Sequence, residues 1–227
     1  MEVLVGAGGW DYLPAAGVDG LRAYSGLFRF VEVNTTFYHL PRLGAVRSWR
    51  RRVPGDFVFS VKCNGMATHV HGLRPVDETF VVLERMLSVC RLLLSDMLVL
   101  QTPPSLAVDE AKISEVSKIL RNVGVGQVQA FWEARNPVNP EDKRKMQMAM
   151  LDDGIIPVVD LSREDPPPET RVIYSRLFNS GGSEYSDVQM EKIRGSVSRS
   201  GAEKVVLAFH GARMYRDAKR YMELNRE

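Results

Sequence analysis

Apolar positions along this chain switch between two periods. Short runs of strand length occur at Val3–Ala7, Phe30–Asn34, Phe57–Cys63, Met97–Gln101, Val128–Glu133, Ile156–Asp160, Val172–Phe178 and Val205–His210. Between them apolar residues step by three and four, the spacing of one helix face. Val76–Leu94 aligns Phe80, Leu83, Leu87 and Leu94, and Val108–Asn122 aligns Ile113, Val116 and Leu120 behind Asp109, whose side chain suits an N-cap. Glu141–Leu151, Asp187–Ser198 and Ala212–Leu224 repeat the theme, with shorter helical pieces at Leu21–Phe28 and Leu43–Arg51.

Strand–helix alternation predicts parallel pairing, because parallel neighbours need a crossover and a helix is the usual one. Eight such units predict a (β/α)8 TIM-type barrel, a single domain over residues 1–227, slightly below the usual size of about 250 residues. A doubly wound open sheet is the alternative. Gly6-Ala7-Gly8-Gly9 lacks the rest of a dinucleotide or P-loop fingerprint, which favours the barrel. Asp165-Pro166-Pro167-Pro168 reads as a rigid loop, since strand patterning resumes within a few residues.

Composition changes this picture little. A hydrophobic share of 44% and a charged share of 26% are ordinary globular usage, and a net charge of +2 does not by itself call for nucleic acid or a membrane. Cys63 and Cys90 share no CxxC spacing and are expected to be buried free thiols in a reducing cytoplasm. No basic-then-apolar leader opens the chain, and the apolar stretch around Val81 to Leu100 is broken by Glu84, Arg85, Arg91 and Asp96. A soluble cytoplasmic protein without a membrane partner is the expectation.

In parallel α/β folds ligands meet the carboxyl ends of the strands. Here those ends carry Trp10; Glu32, Asn34 and Tyr38; Lys62 and His69; Gln101; Glu133 and Arg135; Asp160; Arg176; and His210. Alternation along a strand puts Glu32 with Asn34, Glu133 with Arg135, and Tyr174 with Arg176 and Phe178. If those faces point inward, Glu32 and Glu133 stand near Lys62, Arg135 and Arg176 around a common cavity.

These segments resemble the YecE-like family, a domain of unknown function numbered 72. The resemblance rests on Gly6-Ala7-Gly8-Gly9-Trp10, on Glu32-Val33-Asn34-Thr35-Thr36-Phe37-Tyr38, and on Phe59-Ser60-Val61-Lys62. Leu100-Gln101-Thr102-Pro103-Pro104-Ser105, Trp132-Glu133-Ala134-Arg135 and Tyr174-Ser175-Arg176-Leu177 followed by Tyr185 extend it through nearly the whole chain. It implies an eight-stranded barrel and no particular reaction. Two positions depart from the family pattern: His210 stands where an asparagine pair is usual, and Phe178-Asn179 where a His-Gly is common.

The leading expectation is a pocket for a small anionic or phosphorylated ligand. Lys62, Arg135 and Arg176 neutralise the anion, Glu32 or Glu133 acts as general acid or base, and Asn34, Gln101 and Asp160 orient the ligand. Trp10 and Tyr38 are aromatic contacts, and His69 the loop histidine nearest the site. The structural counterpart is that arginines and carboxylates pair with one another and the aromatics plug the barrel. His69-x-His71 with His39 and His210 invites a zinc reading, but no repeated ligand spacing supports it, so neither metal nor cofactor is expected. Two rivals remain: a nucleic-acid-binding or metal-dependent phosphodiesterase-like barrel, for which Arg47, Arg50, Arg51 and Arg52 form a basic run, and a non-catalytic partner-binding scaffold.

Overall fold

The computed structural model describes residues 1–13, 19–168, 170–179 and 183–225. Eight strands run parallel in chain order: β1 (Glu2–Ala7), β2 (Phe30–Val33), β3 (Val58–Lys62), β4 (Met97–Thr102), β5 (Gln129–Ala134), β6 (Ile156–Val159), β7 (Val172–Phe178) and β8 (Lys204–His210). β8 pairs back with β1 and closes the barrel. The helices are α1 (Gly20–Ser25), α2 (Thr35–Tyr38), α3 (Leu43–Arg51), α4 (Asp77–Leu93), α5 (Glu110–Asn122), α6 (Pro140–Asp152), α7 (Asp187–Arg199) and α8 (Met214–Leu224). A π-helical turn covers Met66–Val70. Among the described residues no helix joins β6 to β7; a turn at 161–163 and the Pro166-Pro167-Pro168 segment make that crossover.

Local chemistry sets these elements. β4 is buried at every position, as expected of a parallel strand covered on both faces. Asp109 caps α5 by accepting from the Lys112 N–H at 2.8 Å, as the sequence predicts. Asn139 does the same for Asp142 at 2.9 Å ahead of Pro140 in α6, and α7 opens with a reciprocal Ser186–Gln189 capping box. One expectation needs correcting. Asn34 does not continue β2: its backbone is helical (φ −86°, ψ −25°) and it precedes α2, so it cannot share a strand face with Glu32. Thr35–Tyr38 and Met66–Val70 are likewise helical turns where the sequence suggested only strand continuation and loop.

The chain divides into two compact units. One comprises Met1–Glu32, Arg52–Val58 and Val158–Glu227; the other Val33–Arg51 and Phe59–Pro157. In the first, Gly6 opposes Phe30, and a Cβ on Gly6 would lie 2.0 Å from the Phe30 carbonyl oxygen and 2.8 Å from the Tyr24 hydroxyl. That hydroxyl accepts from the Ala7 N–H at 2.7 Å and donates to Phe30 O at 2.8 Å, splicing β1 to β2. Tyr24 is fully buried against Phe28, Phe57 and Tyr215.

In the second unit α4 buries Leu83, Met86, Leu87, Cys90 and Leu93. The Thr36 hydroxyl shares its proton between Val33 O at 2.8 Å and Lys62 O at 2.6 Å, while Asn64 Nδ2 donates to Thr36 O at 2.8 Å. Those contacts fix α2 against the end of β3. Cys63 and Cys90 are buried free thiols; burial pushes Cys63 up to about 12 and Cys90 higher still, so neither is a nucleophile at neutral pH.

Candidate functional site

In the first unit the end of β2 delivers Glu32, fully buried. Alternation along β7 places Tyr174 and Arg176 on one side, and both reach it. Arg176 Nη2 donates to Glu32 Oε1 at 2.9 Å and Nε to Oε2 at 3.1 Å; the Tyr174 hydroxyl donates to Oε2 at 2.9 Å. His210 Nε2 lies 3.6 Å from Oε1. Its ring stacks on Phe178, its register partner, at 4.4 Å, and the Arg176 guanidinium lies 5.0 Å from the same Phe178 ring. A carboxylate stripped of water needs such partners, because an uncompensated buried ion costs several kcal/mol.

Asp160, one residue past β6, holds its own turn. Its Oδ1 accepts from the Ser162 N–H at 3.0 Å and the Ser162 hydroxyl at 2.6 Å, with Arg163 Nε 3.4 Å from Oδ2. Burial outweighs these bonds and raises its carboxyl above the ordinary value. Trp10 is buried just beyond β1. Asn179, at the second departure from the family pattern, donates to Ser183 O at 2.8 Å within its own loop.

In the second unit the hub is Phe37 on α2. Lys62 Nζ sits 4.1 Å from its centroid, while His69 meets it edge-on at 4.9 Å and Tyr38 at 5.1 Å. Lys62 ends β3 and His69 belongs to the π turn that follows. Gln101 of β4 brings Nε2 to 3.5 Å from His69 Nε2, and Thr68 Oγ1 lies 2.9 Å from Nδ1. An amide N–H donated to Nε2 puts the imidazole proton on Nδ1, where Thr68 Oγ1 accepts it; the Thr68 hydroxyl in turn donates to Asn64 O at 3.4 Å.

His69 is pushed below its usual value by burial first, then by the charges of Lys62 and Arg135. The imidazole is therefore neutral at physiological pH. Arg135, just past β5, donates from Nε to Glu133 Oε1 at 2.6 Å, with side chains 35% and 17% exposed. Tyr38 is exposed and Asn34 half-buried.

The structure thus brings Glu32 together with Arg176, and Lys62 with His69, Gln101 and Arg135. Tyr174 and Thr68, which orient these groups, were not singled out as site residues. The pattern Thr-Phe-Tyr after β2 was visible, but nothing in the sequence tells a ring that packs under a lysine from one that plugs the barrel. Among the described residues no three His, Cys, Asp or Glu side chains gather as a metal-binding group, and no helix is long and apolar enough to cross a membrane.

Comparison with known proteins places these features. The family described as "Protein of unknown function DUF72" matches residues 4–227. The UPF0759 protein YecE of Escherichia coli strain K12 is 37% identical over 62 residues, a match spanning 27% of this chain and 23% of YecE. A solved DUF72 family protein of Thermotoga maritima MSB8 superposes with a TM-score of 0.74 at 19% identity, covering 100% of both chains. Another from Enterococcus faecalis V583 gives 0.77 at 17% identity, covering 98% of this chain and 94% of that one. At such identities the likeness is one of fold.

Proposed function

The chain belongs to the DUF72 family of barrel proteins, and from that premise we propose that its second unit binds a small phosphorylated or carboxylated anion at the ends of β3, β4 and β5. Lys62 and Arg135 supply the positive charge, Gln101 and Asn34 orient the ligand, and His69 accepts or returns a proton. The observation that carries the reading is geometric: Lys62 Nζ lies 4.1 Å from the Phe37 ring centroid, His69 meets the same ring at 4.9 Å, and Gln101 Nε2 stands 3.5 Å from His69 Nε2. Arg135 is already bonded to Glu133, yet Lys62 and Arg135 both still lower His69, a field that a bound anion offsets.

Glu133 holds the Arg135 guanidinium in place and is read as a positioning residue. Glu32 and Arg176 are read as a buried pair that ties β2 to β7, because the carboxylate already takes two arginine bonds and a tyrosine bond. Inorganic phosphate tests the reading. Titration into the protein should raise the melting temperature, and Lys62→Ala or Arg135→Ala should weaken binding roughly ten- to a hundred-fold, the size of a charge-assisted hydrogen bond of about 1.5–3 kcal/mol. An unchanged affinity in both variants, or no binding by the unaltered protein, overturns it.

A further inference from the structure

We propose that this site takes a phosphate joined to a planar aromatic group, a ligand of the nucleoside monophosphate class, whose ring lies on Tyr38. The inference rests on the anion-site reading above and names its substrate class. It comes from what borders the cations. α2 and the π turn, which carry Phe37 and His69, also expose three large apolar residues, Tyr38 at 71%, Met66 at 46% and Val70 at 60%, and Leu40, two residues past α2, adds a fourth at 42%. Exposed apolar residues scattered singly need no explanation, but these fall in or beside two short turns that pack on each other.

That packing is rigid. Asn64 ties its Nδ2 to Thr36 O at 2.8 Å, and Phe37 packs closely over Gly65, where an added Cβ would stand 3.1 Å from Phe37 Cζ. Phe37 is already covered: a lysine lies over its face, and His69 and Tyr38 meet it edge-on. Tyr38 stands at 88° to it, so its orientation is set by Phe37 while most of the residue remains open to solvent. A flat, pre-positioned and accessible ring one neighbour away from a cation cluster is a stacking platform.

Charge agrees. From Val33 to Val76 the only acidic residue is Asp56, which belongs to the other unit. The segment that carries Lys62 and His69 therefore offers cationic, apolar and neutral polar side chains, and the carboxylate beside Arg135, Glu133, is engaged by that guanidinium at 2.6 Å. An inorganic anion alone would leave the apolar rim unused; an aromatic group attached to it covers that rim.

Isothermal titration of the whole protein with inorganic phosphate, ribose 5-phosphate, adenosine 5′-monophosphate and adenosine tests this. The monophosphate should bind roughly ten- to a hundred-fold more tightly than phosphate or ribose 5-phosphate, the range of one base–aromatic stack. Tyr38→Ala should remove that advantage and leave phosphate affinity unchanged, and Tyr38→Trp should keep it. Since Tyr38 is exposed, neither variant disturbs the fold. If phosphate binds but the monophosphate gains nothing, or gains equally in Tyr38→Ala, the aromatic inference falls and the anion site stands. If neither phosphate nor monophosphate binds, the anion site falls and this inference with it.

Discussion

Tyr24 shows how much one hydroxyl can hold in this barrel. Parallel strands normally bond backbone to backbone, but between β1 and β2 the Ala7 N–H and the Phe30 carbonyl meet through the Tyr24 Oη instead. Gly6 makes room for it; no Cβ fits there. Tyr24→Phe keeps the ring contacts and leaves two backbone groups buried without partners. Each orphan costs about 1–3 kcal/mol, less whatever water can enter, so a loss of about 2–4 kcal/mol is expected in urea unfolding. A loss under about 0.5 kcal/mol would mean that the splice carries no weight. The sequence could not show this device, because a tyrosine at a buried helical position reads as core whether or not its hydroxyl is used. Glu32, Lys62 and Arg176 were legible for the opposite reason: ionisable residues inside apolar strand runs require partners wherever they land. Which partner each would find was not legible. Arg176 chose Glu32 and Arg135 chose Glu133, pairings that depend on which side each strand end presents.

At the level of elements, period and capping carried most of the information. All eight strands and seven of the helices lie where apolar spacing puts them, with ends shifted by a few residues. The misses are short turns: α2 and the π turn are too brief to develop a period, yet they carry Phe37 and His69. The C-terminus of α4 lies where the apolar period ends, at Leu94, although no glycine stops it. Leu94 closes that helix in the left-handed region (φ 56°, ψ 39°), its N–H reaching back to Arg91 O and Cys90 O, while its side chain is 79% exposed. A non-glycine residue there carries about 1–2 kcal/mol of strain, and glycine loses about 0.5–1 kcal/mol in extra chain entropy. Leu94→Gly therefore stabilises the protein by about 0.5–1 kcal/mol, seen as a higher urea midpoint with unchanged slope. A lower midpoint would show that the exposed leucine makes contacts worth more than its strain.

At the scale of the whole molecule, three buried carboxyls and one histidine contribute to stability in opposite directions with pH. Burial raises the carboxyls of Asp11, Asp160 and Asp217 above 3.8. The unfolded chain ionises first at these positions, so their contribution to stability is present at lower pH and declines as pH rises through the raised values. In the second unit His69 is held below 6.5 by burial, Lys62 and Arg135. Between its folded value and 6.5 the unfolded chain binds a proton that the folded chain does not, so stability rises with pH across that window and is level above it. Subtracting the urea-unfolding profile of His69→Gln from that of the unaltered protein, over about pH 4 to about pH 8, isolates the histidine limb from the carboxyl limb. The difference should climb with pH up to 6.5 and then flatten. Saturating phosphate adds a stronger expectation. An anion beside Lys62 and Arg135 offsets the charges that depress the imidazole, so His69 moves back toward its ordinary value and the limb shrinks. A limb of the same height with and without phosphate would place any bound anion away from His69. It would thereby detach proton uptake from ligand binding in this barrel.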